Sequence, residues 1–423
     1  MECALDQAER LTYVPGVISA CLTPDGHVGE ISAVGCETVV DSSNPRSVLM
    51  TNFTGPDIGC TMSLCVTDCT ADMYPFCDQD ALRTLLQSMK TKIGVGVGGN
   101  TKNTSFFKNE KDVVSMLTDA FQWMNERGFN NFFSSRKSRK WDFKSSPITG
   151  VVPPSLLHEI ILQVKRTIVT LGAGNHFSEI GVVDEIYDVK AAAAMNVFHV
   201  GQITVCVHCG SRYPGFIMHR YMQQQSVLAM KRDGIKMPKN LTGVLYSKEG
   251  KEFLQYFEAM CNFAIVNNLA VMRSTIEAMK RAVPLKKWGI HLISYVSHNR
   301  PIVKQVDGRD VIHHLKGACD LQNQPGVVGG SMGTYTFVVE GDKVGPHGGG
   351  RKMNRGKCRK EFSPDAVEQE LLAKGIVVDA PKSAFSEEGP GAYNDVDDIV
   401  TACKKSGIAT PVFRYRPLAV LKG

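Results

Sequence analysis

The stretch GPHGGGRK, residues 345–352, admits two readings that lead to different folds. A Walker A loop reads G-x-x-x-x-G-K-[ST] and joins a strand to a helix in a P-loop domain. Gly345 and Gly350 have that separation, but Arg351, Lys352 and Met353 come next, so the lysine and the hydroxyl are both out of place. The reactive side chain left among the glycines is His347. The segment is a histidine cleared of bulky neighbours, and the P-loop reading fails.

Outward from it, ITVCVH (203–208), TYTFVVE (334–340) and VFRYRPLAVL (412–421) are predicted strands, rich in β-branched and aromatic residues. Residues 250–282 form a long apolar-rich stretch that stops before Pro284. It is too apolar for a solitary surface helix and is expected to be buried. In SPDAVEQELLAKG, Ser363 can cap, Pro364 fits the first turn and Gly375 ends the helix. Residues 395–407 place Val396, Ile399, Val400 and Cys403 on one helical face, with Lys404 and Lys405 in the last turn. These elements mix without a βαβ rhythm, and no repeat or Ser/Gly-rich linker divides the chain. The expected fold class is α+β: one large mixed α/β domain over residues 1–423, with functional residues on turns at strand ends.

The chain has 423 residues, 43% of them hydrophobic, enough for a large core. Forty-eight basic against 42 acidic residues leave a net charge of +6, which suits a polyanionic partner without requiring one. The opening MECALDQAER is polar and no apolar run reaches the ~18 residues of a membrane helix. The thirteen scattered cysteines read as free thiols in a reducing compartment. A soluble, cytoplasmic protein is expected. CVHC (206–209) is formally C-x-x-C, but strand residues three apart face opposite ways, so a redox pair or zinc ribbon is rejected. In NFFSSRKSRKWDFK (131–144), five basic residues accompany four aromatics, a mixture suited to single-stranded RNA or to a solvated loop.

With eleven histidines, each setting can be inspected. His176 follows a glycine turn in LGAGNHFSEI, His208 ends a strand in VCVHCGSR, and His298 stands beside Asn299 in YVSHNR. GPDIGC aims Asp57 and Cys60 around a tight turn, and PDGHVGE adds Asp25 and His27. Asp, Cys and three His make a plausible N/O/S set for one or two divalent ions.

Taken in order, DGHVG, GPDIGC, LGAGNHFSEI, HCGSR, SHN, GGSMG, HGGGR and RPLAVLKG resemble the RtcB family of RNA-splicing ligases, from about Asp25 to the C terminus. The resemblance implies that His347 attacks the α-phosphate of GTP to give a covalent histidine–GMP. The guanylyl group then passes to an RNA 3′-phosphate, and a 5′-hydroxyl displaces GMP; a 2′,3′-cyclic phosphate is opened first. It implies two Mn²⁺ ions on Asp57, Cys60, His176, His208 and His298, with the Cys60 sulfur bridging. Ligand softness alone would favour zinc.

By the same resemblance the guanylate site comprises Asn175, His176, Phe177, Ser178, Glu179, His298, Asn299, Gly329, Gly330, Ser331, Met332, Thr336, His347, Gly348, Gly349, Gly350 and Lys422. Glu179 is expected to read guanine, Arg351 to neutralise phosphate charge and Asp25 to act in acid/base chemistry. Arg136, Lys137, Arg139, Lys140 and Arg212 are candidates for contact with RNA carrying 3′-phosphate or cyclic phosphate and 5′-hydroxyl ends. An archease-like activator is a further possible partner. The chain departs from the family pattern at Leu315, where a basic residue is expected, and around GSRYPG and HVGE. Since no ligand or nucleophile is lost, guanylylation is expected to persist. A relative specialised for RNA repair or 3′-end processing is the alternative, and an inactive RNA-binding scaffold a weaker one.

Overall fold

The computed structural model describes residues 2–132, 152–283 and 285–423. Its main sheet has, in spatial order, the strands Gly326–Val328, Thr336–Gly341, Ala409–Lys422, Phe177–Ile186, Gln202–Cys209, Thr61–Thr70 and Ile290–Ser297. Neighbours along this path run antiparallel, and Val377–Asp379 pairs parallel to Ala409–Lys422. Alternating direction brings the start of one strand beside the end of the next. Phe177 therefore faces His208, and Thr61 faces both Cys209 and Ser297.

Every residue of Gln202–Cys209 is buried, because both faces of this strand are covered. Val205, Val207 and Cys209 join the core around the helix Lys251–Ala282, whereas Cys206 joins Met62, Leu64, Phe413 and Tyr415 on the other side. The period of two thus sends Cys206 and Cys209 into different cores. Along most of Lys251–Ala282 the buried residues occupy every face, from Phe253 to Met279, which explains why its sequence lacks a clear polar stripe.

A second sheet, in the order Val17–His27, Val34–Asp41, Arg309–Lys316 and Asn299–Val306, stands against this end of the main sheet. The chain passes from one sheet to the other through the single residue His298, between Ile290–Ser297 and Asn299–Val306. The ribbon Ala318–Asp320/Val344–Pro346 brings His347 to the same end.

The predicted elements are present with shifted ends: Gln202–Cys209, Thr336–Gly341, Ala409–Lys422, Lys251–Ala282, Pro364–Ala373 and Val396–Lys405. Ser363 Oγ caps by accepting from Ala366 N, and Gly375 takes φ +77° beyond the helix end. No helix among the described residues is long and apolar enough to cross a membrane.

Candidate active site

Four neighbouring strands of the main sheet place a metal-type residue at one common end. Cys60 precedes Thr61–Thr70, His176 precedes Phe177–Ile186, His208 lies near the end of Gln202–Cys209, and His298 follows Ile290–Ser297. Asp57 comes from the turn before Cys60. The donors form two triads, Asp57/Cys60/His176 and Cys60/His208/His298, each with its donor atoms within 4.8 Å of one another. Cys60 Sγ is 3.3 Å from His176 Nε2 and 3.1 Å from His208 Nε2; His208 Nε2 is 3.2 Å from His298 Nε2. His176 Nε2 lies 2.9 Å from Asp57 Oδ2. One thiol therefore belongs to both triads.

Behind these groups, the site is held by the long helix and by backbone carbonyls. Asn268 Nδ2 donates to Thr61 O and Val207 O, and Asn267 Nδ2 to Thr170 O and Gly210 O. His208 Nδ1 meets Asn175 O at 3.1 Å, which commits that nitrogen and leaves Nε2 for the cluster. Burial lifts the Cys60 thiol well above its ordinary pKa and pulls the His208 and His298 imidazoles well below theirs. For Asp57, burial opposes ionisation, but His176 together with Cys60 and His298 outweighs it and the carboxyl falls to about 2. Neutral imidazoles and an ionised carboxylate are the forms in which these residues ligate metal, and a bound cation would favour the thiolate that burial alone resists. The donor set fits one or two divalent transition-metal ions.

His347 adjoins the cluster, its ring centroid 4.7 Å from that of His298. Its Nδ1 lies 2.9 Å from Asp25 Oδ2, and Asp25 is itself fully buried and accepts from Thr23 Oγ1. The glycines after it have a steric cause. Gly350 has φ +69°, and a Cβ there would sit 2.3 Å from Asp25 O. Gly349 N donates to Gly329 O, and Gly329 N to His347 O, so GGSM and HGGG form the two lips of one opening.

Beyond these lips is a cavity of about 240 Å³. It is lined by Phe177, Glu179 and Lys422, by Ser331, Met332 and Thr336, and by Arg351, Arg355, Glu388 and Tyr393. Glu179 is buried and its Oε1 has no hydrogen-bond partner. Burial drives its carboxyl up to about 8, opposed by Lys422; burial also draws Lys422 down to about 8, opposed by Glu388. A buried acceptor without a donor, beside a buried amine, is a site built for a ligand bearing both a donor and an acceptor.

A family model described as tRNA-splicing ligase RtcB matches residues 7–423. The chain belongs to the RtcB family. RNA-splicing ligase RtcB homolog 2 of Entamoeba dispar is 30% identical over 451 residues, covering 99% of this chain and 83% of that protein. RNA-splicing ligase RtcB homolog 1 of the same organism is 32% identical over 451 residues, covering 99% and 81%. RNA-splicing ligase RtcB homolog 1 of Entamoeba histolytica is 30% identical over 452 residues, covering 99% and 83%.

In this RtcB chain the five expected metal ligands and His347 converge, as do Asn175, Phe177, Glu179, Gly329, Gly330, Ser331, Met332, Thr336, Gly348, Gly349, Gly350 and Lys422 around the cavity. Ser178 faces the other way, its Oγ 2.7 Å from Thr275 Oγ1 on the long helix, as strand alternation after Phe177 requires. Asn299 is occupied as a brace, donating to Asp57 O and accepting from Gly317 N. Arg351 turns to Glu388 Oε1, Glu387 O and the Tyr393 hydroxyl. Arg212 donates to Thr170 Oγ1 and Gly96 O beside the candidate metal site. Arg136, Lys137, Arg139 and Lys140 lie outside the described residues.

Sequence reasoning passed over Arg355, Glu388 and Tyr393. Glu388, almost fully buried, accepts from Arg355 Nε at 2.8 Å and from the Tyr393 hydroxyl. Glu388 and Tyr393 flank the turn GPGA (389–392), and Arg355 opens a short helix, but no histidine or cysteine stands beside them to draw attention to the segment.

Proposed function

We propose that this chain is a GTP- and Mn²⁺-dependent RNA ligase that joins a 3′-phosphate or 2′,3′-cyclic phosphate end to a 5′-hydroxyl. The carrying observation is the contact between Asp25 Oδ2 and His347 Nδ1 at the mouth of the cavity. A carboxylate that accepts the Nδ1 proton fixes the neutral tautomer whose lone pair is on Nε2, the form a histidine nucleophile needs.

In this mechanism GTP enters with guanine toward Glu179 and Lys422. In the complex the Lys422 ammonium and the guanine donors hold Glu179 ionised, so that it accepts from guanine N1–H and N2–H₂ while Lys422 donates to O6. His347 Nε2 attacks the α-phosphorus, forming the P–N bond as pyrophosphate leaves. An oxygen of the RNA 3′-phosphate then attacks the same phosphorus, restoring His347 and leaving guanylate on the RNA end through a pyrophosphate linkage. The 5′-hydroxyl oxygen attacks the RNA phosphorus, GMP departs, and a 3′,5′-phosphodiester remains. Cyclic ends are first hydrolysed to the 3′-phosphate. Asp57, Cys60, His176, His208 and His298 would hold the ions, whose charge would stabilise negative charge on the reacting phosphates. The glycines 348–350 let phosphate approach the backbone without obstruction.

The membership of the chain in the RtcB family and the names of its relatives support this reading, as does the two-triad cluster beside His347. Incubation with α-labelled GTP and Mn²⁺ tests it. Acid-labile, alkali-stable label on the protein, absent from His347→Ala, is expected. Label that persists in that variant would refute the nucleophile assignment, and its absence from wild type even with archease would refute the nucleotide chemistry.

A further inference from the structure

We propose that the first two turns of the helix Arg212–Asp233 form a stacking platform for a nucleobase of single-stranded RNA close to the reacting end. The identity of the strand rests on the ligase reading; the platform rests on the helix itself.

The start of this helix is fixed against the metal cluster. A Cβ on Gly215 would lie 3.0 Å from Pro56 O, in the turn that carries Asp57. A Cβ on Gly172 would lie 2.4 Å from both Arg212 Nη1 and His176 Nδ1, so that guanidinium and imidazole are immediate neighbours. Arg212 itself has φ +54°, a costly conformation for a non-glycine residue, and is held there by bonds to Thr170 Oγ1 and Gly96 O.

The next outward-facing residues are Tyr213 and Phe216, 48% and 38% exposed. Their rings stack with centroids 5.7 Å apart and planes 19° from parallel, and the Arg220 guanidinium lies 5.8 Å from the Phe216 ring. Positions i, i+3 and i+7 share one helix face, so the three make a single stack, with Tyr213 at the end beside Arg212. No carboxylate occurs in the helix until Asp233, its last residue. Two exposed aromatics between two arginines suit a ligand with flat rings and negative charge. The exposed Arg220 guanidinium meets a phosphate and a base lies on Tyr213.

The test is fluorescence anisotropy with a 5′-labelled, single-stranded RNA 12-mer ending in a 3′-phosphate. Tyr213→Ser/Phe216→Ser is expected to raise Kd about 10-fold or more, whereas Tyr213→Phe should stay within about twofold. Arg220→Gln should reduce the salt slope of log K by about 1. The proposal is overturned if the double serine variant binds like wild type, if Tyr213→Phe loses as much as the serine variant, or if wild type does not bind. Thermal unfolding of each variant separates lost binding from lost folding. Labelling of His347 by GTP uses no RNA, so its failure in wild type would overturn the ligase reading while the anisotropy series still decided the platform.

Discussion

Asp25 Oδ2 and His347 Nδ1 stand 2.9 Å apart although 322 residues separate them in the chain. The two segments meet because Val17–His27 ends where the ribbon Val344–Pro346 delivers His347. Asp25→Asn preserves shape but presents an amide that no longer specifies the Nδ1–H tautomer. Formation of the His347–GMP adduct should fall by about 10²-fold or more, with GTP binding little changed, as for a carboxylate orienting a catalytic histidine. Single-turnover labelling against equilibrium GTP binding separates the two; an equal loss in both would show that Asp25 serves binding.

Because Cys60 belongs to both donor triads, its removal should differ in kind from removal of either flank. On the proposed two-ion site, Cys60→Ala is expected to lower bound Mn²⁺ from two equivalents towards none. His176→Ala and His298→Ala should each retain about one. Metal analysis after equilibrium dialysis reads this directly, and one retained equivalent in Cys60→Ala would exclude a shared ligand.

Glu179 supplies a base-recognition and a pH prediction. Glu179→Gln replaces an acceptor pair by one acceptor and one donor, so the preference for GTP over ATP should fall by at least about 10-fold. The wild-type carboxyl is raised to about 8 by burial. The folded protein therefore holds a proton that the unfolded chain releases above the ordinary carboxylate range. The associated stability is fully present below that range and is lost as pH rises through about 8. Denaturant unfolding without nucleotide should accordingly be less pH-dependent between about 5 and 8 in Glu179→Gln than in wild type. Equal slopes would place Glu179 outside the titration.

Lys422 invites a separation of stability from function. Its amine, buried and lowered to about 8, is charged at neutral pH at the expense of folding. That penalty disappears as pH rises from about 8 towards the ordinary lysine value. Lys422→Met keeps the strand and its packing beside Phe177 but removes the charge. The variant should unfold at the same temperature or higher than wild type while His347 labelling drops about 10-fold or more. A loss of stability matching the loss of labelling would give Lys422 a structural role.

The parts of this site legible in sequence were those with a local signature. Glycine turns marked Asp57, Cys60, His176 and His347, and the apolar run to His208 marked a strand end. Strand alternation alone sends Cys206 and Cys209 to opposite faces, and they lie in different cores. Arg355, Glu388 and Tyr393 were not legible, because the turn GPGA beside Glu388 carries no histidine or cysteine and the three meet through a buried carboxylate whose partners lie 33 and 5 residues away. Ser178 shows the limit from the other side. It falls within a motif that lines the cavity, yet alternation turns its hydroxyl to Thr275.

The long helix was legible as buried, but not the role of its asparagines. Asn268 is fully buried and spends its amide on Thr61 O at 3.1 Å and Val207 O at 3.2 Å, while its Oδ1 accepts from Ser63 Oγ. Thr61 follows Cys60 and Val207 precedes His208, so one side chain ties together the strands of two candidate metal ligands. Asn268→Ala leaves two carbonyls and a hydroxyl without this partner in a buried setting, a cost of about 2–4 kcal/mol in unfolding free energy. Asn268→Asp keeps the acceptor for Ser63 but loses both donations, so it should be no better. If the asparagine also sets the spacing of Cys60 and His208, Mn²⁺ affinity in the folded variant should fall by about 10-fold or more, as when outer-shell supports of metal ligands are removed. Urea unfolding and metal titration on the same samples decide between the roles: destabilisation with unchanged metal affinity would leave Asn268 a structural pin and nothing more.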